Sequence, residues 1–238
     1  MLKKVLAAAV VLGMATGAQA AGFDVSGYVQ GSLGQAKASK PSVVKQEQRN
    51  FADWYDDVGV KTSSDRTDTA YKLIVGLQLN PYVAVEAQYI DLGKADYKSR
   101  YNESWEGGSY SDTQKIDLKT NGFGFNVVGS YPVTDDFSVF AKTGLHNLKT
   151  KGTLKESWGG SFEGEGSYGE SYKASKSVRK WTNSIGIGAS YQVIPNLSVV
   201  GEYERYRNVA DKKVRIDDEK VKFKHNVDYL SVGLRYSF

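Results

Sequence analysis

The feature that most constrains this chain is a period of two in its apolar residues. Val25, Gly27, Val29, Gly31 and Leu33 would share one face of an extended segment, with Ser26, Tyr28, Gln30, Ser32 and Gly34 on the other. The same alternation returns in Tyr71, Leu73, Val75, Leu77 and Leu79, and in Val83, Val85, Ala87 and Tyr89 against Ala84, Glu86 and Gln88. It returns again in Phe123, Phe125, Val127 and Gly129, and in Phe137, Val139, Ala141 and Thr143 against Ser138, Phe140 and Lys142. Ile185, Ile187, Ala189 and Tyr191 follow, then Leu197, Val199, Gly201 and Tyr203 with Glu202 and Glu204 opposite. Leu230, Val232, Leu234, Tyr236 and Phe238 end the chain in strict alternation. A side-chain period of two is the signature of a β-strand with two different faces. Eight such strands are expected.

Short turns join the strands in pairs. Asn80 and Pro81, residues 131–136 (YPVTDD), and Pro195 with Asn196 occupy them, as proline's fixed φ and missing amide donor favour. At the other end the connections are long and polar, roughly 37–69, 93–120, 147–180 and 206–226. Short turns at one end and long loops at the other are the asymmetry of outer-membrane barrels, whose turns face the periplasm and whose loops face outside. Both termini would then lie on the periplasmic side. Closure is required in hydrocarbon, because each unpaired backbone group there costs several kcal/mol.

A soluble lipid-binding barrel would show the same period with its apolar face inward. The contents of the two faces decide between them. Gly122, Gly124, Ser184, Gly186, Gly188, Ser190, Ser231 and Gly233 suit the narrow lumen of eight strands. The Leu, Val, Ile, Phe and Tyr set suits lipid. Tyr131, Tyr191, Tyr236 and Phe238 would form the periplasmic aromatic girdle, and Tyr71, Tyr89 and Tyr203 the outer one.

The start of the chain agrees with export. Lys3 and Lys4, an apolar run over 5–15, and Ala18-Gln19-Ala20 have the layout of a signal peptide, expected to occupy residues 1–20 with the barrel domain at 21–238. That run is too short to span a membrane as a helix. The 31 basic side chains less Lys3 and Lys4 leave 29 against 27 acidic ones, so nothing suggests a nucleic-acid partner. The chain has no cysteine, which excludes disulfides and thiolate metal sites.

Several segments resemble the transmembrane domain of outer membrane protein A. NPYVAVEAQYID (80–91) is similar to that family's second turn and third strand, YPVTDD to its second periplasmic turn, and residues 191–203 to its third hairpin. The terminal YLSVGLRYSF resembles the signal read by the outer-membrane assembly machinery, with Leu230, Val232, Leu234, Tyr236 and Phe238 as its alternating residues. The resemblance implies an all-β, eight-stranded antiparallel up-and-down transmembrane barrel at the Gram-negative cell surface. Many members carry a peptidoglycan-binding domain after the barrel; none is expected here, the sequence given stopping at Phe238. It also implies charged pairs in the lumen. Glu86, Lys142 and Glu202 match such positions, whereas the family's pairing arginine corresponds to Val200.

By parity, Glu86 and Glu202 should face Lys142 and Arg235 inside the barrel, since a Lys or Arg at the lipid midplane costs about 2 to 4 kcal/mol. Such a cluster reads either as a satisfied polar core or as a narrow ion path. In the long connections, ESWEGGSY (103–110) is echoed by ESWGGSF (156–162). Glycine pairs beside aromatics suit hairpin tips that prolong the barrel, and Trp105 and Trp158 are candidate anchors for a host or phage ligand. His146 and His225 are the two histidines, with no spacing that suggests a metal site or a catalytic set.

The expected protein is therefore a non-enzymatic, structural and surface-interacting porin-family barrel, monomeric and without cofactor. A narrow channel for ions or small solutes is the alternative, and a lipid-modifying barrel enzyme comes third. Its expected partners are outer-membrane lipid and lipopolysaccharide, the assembly machinery with periplasmic chaperones, and an adhesion ligand.

Overall fold

The computed structural model describes residues 25–216 and 219–238, so the expected leader at 1–20 lies outside the described residues. Among the described residues eleven strands and one helix follow one another: β1 (Ser26–Ala38), α1 (Ser42–Trp54), β2 (Val60–Asp65), β3 (Thr67–Asn80), β4 (Val83–Trp105), β5 (Gly108–Pro132), β6 (Phe137–Phe162), β7 (Gly166–Ile194), β8 (Leu197–Val209), β9 (Lys213–Ile216), β10 (Glu219–Lys222) and β11 (His225–Ser237). Eight of them, β1, β3, β4, β5, β6, β7, β8 and β11, pair antiparallel with their chain neighbours and close into a ring when β11 meets β1. Amide and carbonyl exchange between Gly27 and Phe238, at 2.8 and 2.9 Å, completes the seam. No sheet edge is left in the closed part of the ring; above it β7 pairs with β8 only from Asn183 onward.

The turns form as their residues dictate. The Asn80 side-chain oxygen accepts from the amides of Tyr82 and Val83, both at 2.9 Å, closing the turn around Pro81. Thr134 Oγ1 accepts from the Phe137 amide at 3.0 Å, and Asn196 adopts a φ of +69°. Parity follows the sequence reading. Leu33, Leu73, Phe125, Ile187 and Val232 point out and are exposed, while Gln30, Lys72, Glu86, Asn126, Lys142, Glu202 and Ser231 point in and are buried. An apolar band of this kind around a closed sheet demands a non-aqueous surrounding. Tyr131, Tyr191, Tyr236 and Phe238 rim the band at the turn end. Tyr71, Tyr89 and Tyr203 rim it at the other, with the Tyr71 and Tyr89 rings 6.2 Å apart.

The four long connections differ from expectation. Residues 93–120 and 147–180 are not loops: β4 and β5 stay paired up to Trp105 and Gly108, and β6 and β7 up to Phe162 and Gly166. The physical reason is that alternation persists beyond the apolar band with the outward face turned polar. Tyr97, Ile116, Leu118, Leu148 and Val178 still point in and are buried. With Ala36, Leu92, Tyr206, Val209, Val227 and Tyr229 they make a second core in the prolonged barrel. The first connection holds α1 and β2; α1 lies between β4 and β10 and buries Val44, Gln48 and Phe51, spaced for one helix face. Phe223, from the connection between β10 and β11, joins the same core.

Close packing inside the ring leaves no room for a side chain at several glycines, Gly76 among them, while Gly201 is open. A Cβ on Gly76 would stand 2.1 Å from the Tyr28 ring, which Glu86 and Arg235 hold in place, whereas a Cβ on Gly201 would meet nothing within 4 Å. Gly76→Val should destabilise the barrel by about 1–3 kcal/mol and Gly201→Val should be nearly neutral. Urea titration of the heat-modifiable folded band checks this, and equal midpoints for the two variants would contradict the packing described.

Candidate functional site

Six ionic side chains meet inside the barrel, three of each sign. Lys142 sits at the centre, with its Nζ 2.6 Å from Glu202, 3.5 Å from Glu204 and 3.5 Å from Glu86. Lys72 pairs with Glu202 and, at 3.4 Å, with Glu204. Arg235 lies 3.9 Å from Glu86 and stacks over the Tyr28 ring at 4.3 Å. Neutral donors fill the remaining carboxylate positions: Tyr28 and Asn126 donate to Glu86 at 2.8 and 3.0 Å, and Ser184 donates to Glu204 at 2.8 Å.

Apolar residues flank this cluster at both ends, with Arg235 keeping 13% of its side chain exposed. Towards the turns, Tyr28, Ile74, Ala84, Val128, Phe140 and Val200 form an apolar layer. In the other direction lies the core that α1 and Phe223 help to fill. The Lys72, Lys142 and Glu204 side chains have no exposed surface at all. Charges removed from water this completely persist only when paired and hydrogen-bonded.

Beyond the plug, the hairpins β4–β5 and β6–β7 carry a strip of half-exposed rings on the lumen-side face. Trp105 meets Phe162 with centroids 5.8 Å apart, Phe162 stacks on Tyr168 at 5.8 Å, and Tyr168 meets Trp158 at 6.3 Å. Below them Tyr55 stacks on Tyr101 at 4.0 Å and donates to Asp112 at 2.7 Å, tying the end of α1 to β5. Burial and that carboxylate raise the Tyr55 phenol well above its ordinary value. A groove of about 390 Å³ borders the strip, lined by Ser109, Ser111, Ser157, Ser161, Trp158 and Tyr168 among others.

Comparison with known proteins agrees with this architecture. Residues 6–238 match the family described as the outer membrane protein beta-barrel domain. The chain belongs to that family. Among curated relatives, outer membrane protein A of Yersinia pseudotuberculosis is 27% identical over 243 residues, covering 100% of this chain and 56% of the relative. Outer membrane protein A of Escherichia coli O157:H7 is 25% identical over 244 residues, covering 100% of this chain and 55% of the relative. The chain thus spans just over half the length of these relatives. Neisserial surface protein A, a solved structure, is 15% identical with a TM-score of 0.47, covering 90% of this chain and 99% of that one.

Within this outer-membrane barrel the structure brings Glu86, Lys142, Glu202 and Arg235 together as parity required, and adds Lys72 and Glu204, which complete the charge balance. Glu204 was readable as an inward residue beside Glu202. Lys72 carried the same signal, lying between the outward Tyr71 and Leu73. Val200 sits in the apolar layer beneath the cluster. Trp105 and Trp158 share one strip through Phe162 and Tyr168. Leu230, Val232, Leu234, Tyr236 and Phe238 are exposed along the outer face of β11 and the chain end.

Among the described residues neither histidine is hydrogen-bonded to a serine or threonine hydroxyl, and His146 Nε2 lies 4.0 Å from Glu204. His146 is buried edge-on to Tyr206 with Gln88 at 3.3 Å from Nε2, while the nearby Ser184 hydroxyl is engaged with Glu204. A hydrolytic set needs its nucleophile bonded to the base. His225 lies buried at the start of β11, its Nδ1 2.6 Å from the Phe223 carbonyl. Among the described residues no group of three or more His, Asp or Glu side chains is placed to hold a metal.

Lys142 serves three carboxylates at once, so its removal should be disproportionately costly. Lys142→Met is expected to destabilise the folded barrel by about 3–5 kcal/mol, and adding Glu202→Gln should recover part of that loss. Urea unfolding in detergent measures both; a single-variant cost under about 1 kcal/mol would contradict a load shared in this way.

Proposed function

We propose that this protein is a non-enzymatic barrel of the bacterial outer membrane that stiffens the membrane and offers its projecting hairpins as an interaction surface. The observation that carries this reading is a contrast between the two ends of one sheet. The lumen is filled with paired charges and closed by apolar layers on both sides. The hairpin tips instead keep Trp105, Trp158, Phe162 and Tyr168 between 41 and 45% exposed. Aromatic side chains held on rigid strands lose little entropy on binding and are frequent hot spots.

In this reading the short turns and both chain ends face the periplasm and the hairpins stand outside the cell, as in other barrels with short turns at one end. A host or phage surface molecule is the partner of the aromatic strip. Membrane lipid, including lipopolysaccharide, surrounds the apolar band. Periplasmic chaperones and the assembly machinery engage the chain end, with Phe238 completing the strand signal. The protein acts as a monomer in this reading, because within the lipid band the closed ring offers no edge to a second copy.

The test uses cells expressing the full chain, with a cysteine replacing the exposed Glu165 in the β6–β7 tip for labelling by an impermeant reagent. Labelling reports orientation, and adherence to an epithelial monolayer reports binding. Trp105→Ala with Trp158→Ala should lower adherence about tenfold, the loss of one hot spot or more, at an unchanged level of folded barrel. Undiminished adherence by a double variant whose tips are labelled would refute the aromatic strip as the binding surface.

A further inference from the structure

The outward face of the prolonged hairpins carries a second, chemically opposite surface. Where β5, β6 and β7 leave the apolar band, the last lipid-facing row holds Phe123 and Trp181, whose rings meet edge-on at 6.3 Å. The row above pairs Lys149 with Arg179, the next pairs Lys119 with Lys151, and two rows higher Lys155 stands opposite Lys173. Like charges directly opposite on neighbouring strands repel, and here they do so in three rows. Some are relieved: Lys119 lies 3.5 Å from Asp91 and Lys155 3.1 Å from Asp117. Among the described residues Lys149, Lys151 and Lys173 have no carboxylate partner, and Arg179 reaches only the Asn147 amide oxygen at 3.2 Å.

The height of these rows names the ligand. Two residues of a strand tilted by about 40° climb roughly 5 Å along the membrane normal. Lys149 and Arg179 therefore stand about 5 Å above the aromatic boundary, and Lys119 and Lys151 about 10 Å above it. That is the level of lipid headgroups beside a surface that lipid already touches. Long basic side chains rising from an apolar boundary pair readily with phosphate there.

We propose that Lys149, Lys151 and Arg179, with Lys119 beside them, form a binding site for the phosphate groups of a phosphorylated glycolipid packed against β5–β7. The anion fills the position between like-charged strands that no carboxylate of the chain occupies. The hairpins then have two faces with separate tasks, an outer one fixed to the lipid surface and a lumen-side one bearing the aromatic strip. The site rests on the membrane placement proposed above only for which leaflet supplies the lipid.

The full chain reconstituted in phosphatidylcholine vesicles tests this, because both leaflets then carry the probe and binding does not depend on orientation in the cell. The probes are bis-phosphorylated lipid A and its dephosphorylated form, each at trace level, with lipid retained per barrel as the readout. Phosphorylated lipid should be retained about tenfold over the dephosphorylated form, falling with added salt as surface charge attraction does. Lys149→Gln with Lys151→Gln and Arg179→Gln should abolish that preference, while Lys37→Gln, on the outer face of β1, should leave it intact. Equal retention of the two lipids, or a preference that survives the triple variant, would overturn the proposal. So would preferential capture of a soluble sulfated polysaccharide with no preference between the lipids, which would make the face a glycan site. Heat-modifiable mobility of each variant verifies folding, and a triple variant that does not fold is replaced by Lys149→Gln alone, for which a severalfold loss is expected.

Discussion

Lys142 is the point on which the interior depends. Three carboxylates, Glu86, Glu202 and Glu204, come from strands on different sides of the ring and converge on its ammonium within 3.5 Å. Each of them has one further cation, Lys72 for Glu202 and Glu204 and Arg235 for Glu86, but only Lys142 touches all three. Lys72 and Arg235 then make the sum of charges zero, and Tyr28, Asn126 and Ser184 supply the hydrogen bonds that ionic pairing leaves over. With these hydrogen bonds the cluster links all eight strands of the ring across the barrel, as backbone pairing links them around it.

The apolar layers on either side follow from the same requirement. Water entering from the turn end would have to pass Tyr28, Phe140 and Val200, and from the other end the core closed by α1 and Phe223. That second core is also what allows β4 to β7 to continue so far beyond the lipid band. A free hairpin in water is marginal, but here the inward faces of four strands bury Tyr97, Ile116, Leu118, Leu148 and Val178 against α1 and the neighbouring strands. At the tips Trp105 and Trp158 are held by ring contacts.

Most of the ring was legible in the sequence because a period of two over a closed barrel places every side chain on one face or the other. Eight strands, their order, the turns at Pro81 and Asn196 and the inward direction of Glu86, Lys142 and Glu202 all follow from that rule. The prolongation was less legible: residues such as Lys115 to Lys119 alternate, but with charges outward in place of leucines, so the segment resembles polar loop unless Ile116 and Leu118 are read as an inward pair. The helix α1 was missed because its buried face, Val44, Gln48 and Phe51, includes a polar residue and carries no side-chain cap. Lys72 escaped notice because a lysine in an otherwise apolar strand looks like an exception until its two carboxylate partners, over 100 positions away in sequence, are brought beside it.

A closed, charge-balanced interior has one direct electrical consequence. The decisive measurement is single-channel conductance of the refolded protein in a planar bilayer, with Glu86→Ala and Lys142→Ala variants alongside and folding verified by heat-modifiable mobility. A sealed lumen predicts no steady conductance from the folded parent chain, and steps that emerge only when Lys142 or Glu86 is removed. Steady conductance from the parent chain, altered in size by those two variants, would make the lumen a pathway and contradict the account.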